Sequence, residues 1–313
     1  MLGLLTPTTW SGQLKHRPAR ATTLVFMSTP PFVDLPPHTS AVQLPTTGGP
    51  LAALRAVPPA GVAQRGVAVL VPGYTGSKED FIAVLAPLAE AGFEAIAVDQ
   101  RGQNESAGPD DPAAYTLARL SEDLAEVIDG LDADAVHVLG HSFGGLVARE
   151  YALALPERVR SLAIFDSGPA AVPGRSAEQA KLLVAAAGFL STAQIWVEIQ
   201  KLAAAEGAPQ HPDPAVRAFL QRRFEANDLG MLIGMGTSIL EAPDRTDELA
   251  AAGLPLLLAA GVGDDAWPVA LQKEMATRLA TELVLIENAA HSPAAENPAL
   301  TAQILTDFWN QNS

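Results

Sequence analysis

The 313-residue chain has no cysteine. That excludes disulfides, thiolate catalysis and cysteine-ligated metal sites, while leaving either redox compartment tolerable. Positive charge is also scarce: 20 Lys and Arg stand against 35 Asp and Glu, a net charge of -15. A surface built to neutralise nucleic-acid phosphates or dock on anionic lipid needs the opposite balance, so neither partner is expected. No apolar run is long enough to span a membrane. No G-x-x-x-x-G-K-[ST] phosphate loop and no H-E-x-x-H zinc motif occurs, so no cofactor and no metal is implied. What the chain does have is apolar bulk, 48% of residues, which excludes wholesale disorder.

The first 33 residues contain no acid, and their charges follow a short apolar stretch broken by threonines. A secretory signal has the reverse order, so a cytoplasmic location is expected, with a cleaved export signal as the alternative. Met27 opens a proline-rich stretch that looks like an ordinary start, so residues 1–26 are expected to be disordered. Residues 1–39 are therefore read as a disordered or irregular arm. Beyond it, SAVQL and LAALRAV flank the turn signal TTGGP and read as a hairpin. RGVAVLVPG at 65–73 is a continuous apolar run, as in a strand buried on both faces. Helical and strand patterns then alternate: helices at 78–92, 114–131, 143–157, 268–280 and 297–310, strands at 94–99, 135–140, 160–166, 254–261 and 282–287. The alternation predicts a doubly wound, mostly parallel α/β sheet. Residues 168–252 interrupt it with helical patterns alone. They are read as an all-helical lid inserted after the sixth strand, between core segments 40–167 and 253–313.

Gly140-His141-Ser142-Phe143-Gly144 matches G-x-S-x-G with a strand before it and a helix after it. A nucleophilic serine at such a turn must take a strained backbone, and side chains two residues either side would collide. The helix beginning at Phe143 favours developing negative charge at its N-terminus. The serine needs a base, and the base an orienting acid, in the chain order Ser, acid, His. Of six histidines, His16 and His38 precede the serine, His137 lies inside a strand, His141 is adjacent and cannot curl back, and His211 lies in a turn of the insertion. His291, in the loop after the last strand, remains. The acid should follow the strand LPLLLAAG, where Asp264 and Asp265 both stand.

PGYTGS, DQRGQNES, GHSFGG, GVGDDAWP and AHSPAAENPALTAQILTDF together resemble the successive motifs of the α/β-hydrolase superfamily, in its lidded serine esterase and lipase-like branch. The resemblance spans about residues 40–311. It implies an α/β-hydrolase fold and selects Asp264 over Asp265. By the same resemblance the backbone N–H groups of Tyr74 and Phe143 would form the oxyanion hole. Three positions depart from the family pattern: Pro72 where His is common, Asn104 where Gly is usual, and Ser292 where an aromatic often follows the His. Asn104 is the residue that best tolerates a left-handed backbone there.

The expected activity is hydrolysis of small to medium apolar carboxylic esters through an acyl-enzyme, with Ser142, His291 and Asp264 as the triad. Tyr74, Phe143, Trp196 and Trp267 are the candidates for substrate contact. Phe189, Leu190, Phe219, Phe224, Met231 and Met235 would mostly pack the lid helices together. The lid's basic residues, Arg222 and Arg223 among them, read as a solvated face. The alternatives are a carbon–carbon bond hydrolase or perhydrolase with the same triad, and a ligand-binding protein that has kept the fold without turnover.

Overall fold

The computed structural model describes residues 27–313, so the expectations for residues 1–26 lie outside the described residues. Eight strands form one sheet in the order β1-β2-β4-β3-β5-β6-β7-β8. They are β1 Thr39–Leu44, β2 Leu51–Ala56, β3 Gly66–Val71, β4 Phe93–Val98, β5 Val136–His141, β6 Val159–Phe165, β7 Leu256–Gly261 and β8 Leu283–Ile286. The hairpin β1–β2 joins antiparallel to β4, and every later pairing is parallel. The two-residue repeat of β3 divides the core. Val67, Val69 and Val71 face one apolar cluster, while Ala68 and Leu70 face the other.

Helices cover both faces: α1 Ile82–Glu90, α2 Leu117–Asp129, α3 Phe143–Ala154, α9 Val269–Arg278, the short α10 Pro293–Glu296 and α11 Pro298–Asn310. Between β6 and β7 lie five more: α4 Gly174–Ala187, α5 Thr192–Ala205, α6 Pro214–Glu225, α7 Leu229–Glu241 and α8 Thr246–Ala251. This is an α/β-hydrolase fold.

Two expected helices are broken near their starts. The 78–92 pattern begins as a 3-10 turn, Lys78–Phe81, and turns α-helical only at Ile82. The Lys78 N–H and Nζ both donate to Asp99, at 2.7 and 2.8 Å, drawing the turn onto the loop after β4. The 114–131 pattern splits at Thr116, which is extended and caps α2 by accepting from the Arg119 N–H. Within the segment 27–38 the backbone is irregular, yet Ser28 is buried and its Oγ lies 2.7 Å from Ser292 Oγ. Asn104 has φ 46°, as its place in the glycine position requires.

Helix α7 shows why GMLIGMG carries so many glycines. A Cβ at Gly234 would lie 2.3 Å from the Pro112 carbonyl oxygen, and one at Gly236 2.5 Å from the Tyr74 hydroxyl. Only bare backbone lets the helix come so close to the core. The expected lid packing holds for Met231, Met235, Phe219 and Phe224, which are buried. It fails for Phe189, which is 91% exposed at the turn after α4. Arg223 is likewise not solvated. It is fully buried, and its Nη1 pairs with Asp80 at 2.7 Å.

Candidate active site

Ser142 follows the last residue of β5 with φ 55° and ψ -123°. A non-glycine residue in that region is strained, and the surroundings hold it there. Its N–H donates to the Phe165 carbonyl at 2.9 Å, and its own carbonyl accepts from Gly145 at 2.9 Å. The neighbouring glycines are steric requirements. A Cβ at Gly140 would lie 2.3 Å from the Gly144 carbonyl oxygen, and one at Gly144 2.3 Å from that of Val71. The strand–turn–helix geometry inferred from the pentapeptide is therefore the geometry present. The loop after β3 runs beside the serine: a Cβ at Gly73 would be 3.4 Å from Ser142 Oγ.

His291 Nε2 lies 2.9 Å from Ser142 Oγ, and His291 Nδ1 lies 2.8 Å from Asp264 Oδ1. Ser142 and His291, chosen from chain order, and Asp264, selected by the family resemblance, thus meet at the carboxyl edge of the sheet. Asp265 is exposed, its backbone carbonyl lying 3.5 Å from Ser176 Oγ. Asp264 is fixed by further donors, the Ala266 N–H at 3.0 Å and Gln272 Nε2 at 2.6 Å. Burial alone would lower the His291 pKa. The charge of Asp264 and its hydrogen bond, helped by Asp265 and Glu296, outweigh burial and hold the imidazole above its ordinary value.

Several supports were not legible as site residues. His141, set aside as a base, is buried, and its Nε2 donates to the His291 carbonyl at 2.5 Å. Burial, and then the charge of His291, push its pKa down to about 3, so it stays a neutral donor. Glu296 accepts from the N–H groups of Ala290 at 2.6 Å and Ser292 at 3.1 Å, bracketing the histidine. Its position five residues after His291, at the end of α10 and just before the last helix, is the available signal. Gln103 Nε2 donates to the Gly73 carbonyl at 2.7 Å and the Tyr74 carbonyl at 3.1 Å, clamping the loop beside the serine.

The four aromatic candidates are engaged in packing. Tyr74 and Phe143 are fully buried with ring centroids 6.5 Å apart, and the Tyr74 hydroxyl donates to the Leu232 carbonyl in α7. Trp267 is fully buried, and its Nε1 donates to the Ala170 carbonyl at 3.2 Å. Trp196 packs on Phe224 at 5.7 Å between helices of the insertion. Ser142 itself is 1% exposed, so the site is roofed over. Among the described residues, no helix is long and apolar enough to cross a membrane.

The family described as "alpha/beta hydrolase fold" matches residues 67–298. A protein of Variovorax paradoxus (strain S110), provisionally named carbamate hydrolase RutD, is 31% identical over 253 residues. The match covers 78% of this chain and 91% of the relative. A proline iminopeptidase of Lactobacillus delbrueckii subsp. bulgaricus is 28% identical over 266 residues, covering 77% and 88%. A thermophilic esterase of Thermogutta terrifontis, solved with malate bound, superposes with a TM-score of 0.69 at 21% identity. It covers 88% of this chain and 100% of that one, a likeness of fold. The strained serine, its histidine partner and the sheet order agree with the span and extent of these matches: the chain belongs to the α/β-hydrolase family.

Proposed function

We propose that this hydrolase cleaves carboxylic esters of small to medium apolar substrates by a serine mechanism. The observation that carries the reading is the unbroken relay from Ser142 Oγ to His291 Nε2 and from His291 Nδ1 to Asp264 Oδ1, at 2.9 and 2.8 Å. Ser142 Oγ attacks the acyl carbon as His291 takes its proton. Asp264 holds the tautomer with the proton on Nδ1 and stabilises the imidazolium. The N–H groups of Tyr74 and Phe143 receive the oxyanion, supported by the N-terminus of α3. His291 returns its proton to the leaving alcohol. Water, activated by the same histidine, then releases the acid and frees the serine.

Apolar side chains next to the serine in the chain and on the loop beside it, Phe143 and Tyr74, favour an apolar acyl group, and the acidic chain disfavours a nucleic-acid partner. The residues 168–252 act as the lid, whose displacement admits substrate to a serine otherwise out of reach. The reading places the enzyme in the cytoplasm, acting on a small molecule and needing no cofactor.

The test is covalent labelling with a fluorophosphonate, on wild type and Ser142→Ala side by side, followed by turnover of p-nitrophenyl esters and matched anilides. Labelling and ester turnover both vanish in Ser142→Ala, with turnover falling by about 10³-fold or more. A folded wild type that takes no label and turns over no ester overturns the reading. Anilides cleaved in preference to esters move the substrate class to amides.

A further inference from the structure

Asp166 follows β6 directly and is fully buried. It holds φ 48°, an uncommon conformation for a residue with a side chain. Its N–H donates to the Ala259 carbonyl at 2.9 Å, and its Oδ1 accepts from the Gly261 N–H at 2.9 Å. These bonds fix it against the end of β7, just before the loop that carries Asp264. Its Oδ2 is buried and has no hydrogen-bond partner among the described residues. One oxygen each of Asp166 and Asp264 and one ring nitrogen of His291 lie within 4.8 Å of one another.

Two carboxylates and an imidazole at that separation could suggest a cation site. Both ring nitrogens of His291 are already committed, one to Asp264 and one to Ser142. The other reading of the cluster is electrostatic. Two buried carboxyl groups this close cannot both carry charge cheaply. Asp264 has three donors around one carboxylate, whereas Asp166 has a single N–H. The charge therefore belongs on Asp264 and the proton on Asp166. Burial first, and then the charges of Asp264 and Glu296, raise the Asp166 pKa well above the ordinary range.

We propose that Asp166 is a second acid for His291, a positioning residue held protonated while Asp264 is charged and able to ionise and support the imidazolium when Asp264 is lost. Truncating Asp264 removes the charge that keeps Asp166 neutral and opens space between Asp166 and the ring. The Asp166 proton then leaves to solvent. Its carboxylate faces His291 Nδ1 directly or through one water. This rests on the serine-hydrolase reading above.

The experiment compares four enzymes, wild type, Asp166→Asn, Asp264→Ala and the double variant, by kcat/KM for an activated ester across pH. Asparagine keeps an oxygen to accept from Gly261 but cannot ionise, which separates structure from charge. Asp166→Asn is expected to cost the Asp264→Ala enzyme about ten-fold more than it costs wild type. The acid limb of the pH profile should also lie lower in the double variant than in Asp264→Ala, because a carboxylate beside His291 has been removed. Asp265, Glu296 and the neutral His141 also face the ring, and they are common to both enzymes. The same cost in both backgrounds, or an unmoved acid limb, overturns the proposal. Thermal melts report folding, and Asp166→Ser repeats the comparison if the asparagine variant does not fold. Loss of the serine-hydrolase reading would look different: Ser142→Ala would keep its turnover.

Discussion

In the proposed mechanism His291 works as a base only when neutral, so the groups that raise its pKa also set the lower pH limit of activity. The Asp264 carboxylate favours the charged imidazolium and outweighs the burial that disfavours it. The acid limb of kcat/KM therefore lies above the ordinary histidine value of about 6.5. Asp264→Asn removes that charge. Activity is expected to fall by about 10³- to 10⁴-fold, and the residual acid limb to move to lower pH. A pH–rate profile of both enzymes checks the direction. A limb that stays in place or rises even when Asp166→Asn is combined with Asp264→Asn means Asp264 does not set the imidazole's charge. At this scale the sequence is informative wherever function imposes order along the chain. Ser142 and His291 could be read from succession and from the glycines that make room for the serine, whereas succession leaves Asp264 and Asp265 both open and the family resemblance selects Asp264. Asp166 could not, because Asp-Ser-Gly-Pro reads as a turn and only the parallel pairing of β6 with β7 sets it beside Asp264.

The loop after β3 is the element on which the proposed oxyanion hole depends, and it is held by two side chains from a different loop. Gln100 Nε2 donates to the Pro72 carbonyl at 2.9 Å, and Gln103 Nε2 holds the carbonyls of Gly73 and Tyr74. Fixing those carbonyls fixes the peptide planes on either side of Tyr74. Gln103→Met keeps the length and removes the donors, leaving two buried carbonyls without this partner. A displaced oxyanion donor weakens transition-state binding more than ground-state binding. The expected result is a loss of about ten- to hundred-fold in kcat with KM nearly unchanged, read by steady-state kinetics on an activated ester. A rise in KM at constant kcat would assign Gln103 to substrate binding instead. The strands themselves were legible because burial on both faces demands unbroken apolar runs. The two split helices were not, since their breaks answer to Asp99 across space and to a single capping threonine.

Across the whole molecule, the contacts between distant segments are the part that composition conceals. Arg222 and Arg223 look alike in sequence, yet one is exposed and the other fully buried. Arg223 donates from α6 to Asp80 Oδ1 and to the Ser28 carbonyl, each at 2.7 Å, and lies over the Phe219 ring at 5.4 Å. It therefore ties three parts together: the helical insertion, the turn before α1 and the segment leading into β1. Burial raises the Asp80 pKa to about 6 against the opposing charge of Arg223, with Glu79 adding to the rise. An acid with a folded pKa above its unfolded value of about 3.9 stabilises the fold most at low pH and loses that contribution as pH rises through the folded value. Arg223→Met keeps the volume and removes the counter-charge paired with Asp80, so Asp80 must stay protonated or be buried as a bare charge. The expected cost is about 3–5 kcal/mol near pH 8, the usual penalty for breaking a buried pair by removing one partner. The cost shrinks toward pH 5, where a proton takes over the neutralising role. Thermal melts of wild type and variant at both pH values measure it. A deficit equal at pH 5 and pH 8 would mean that Arg223 stabilises the insertion by packing alone, with the charge of Asp80 making no difference.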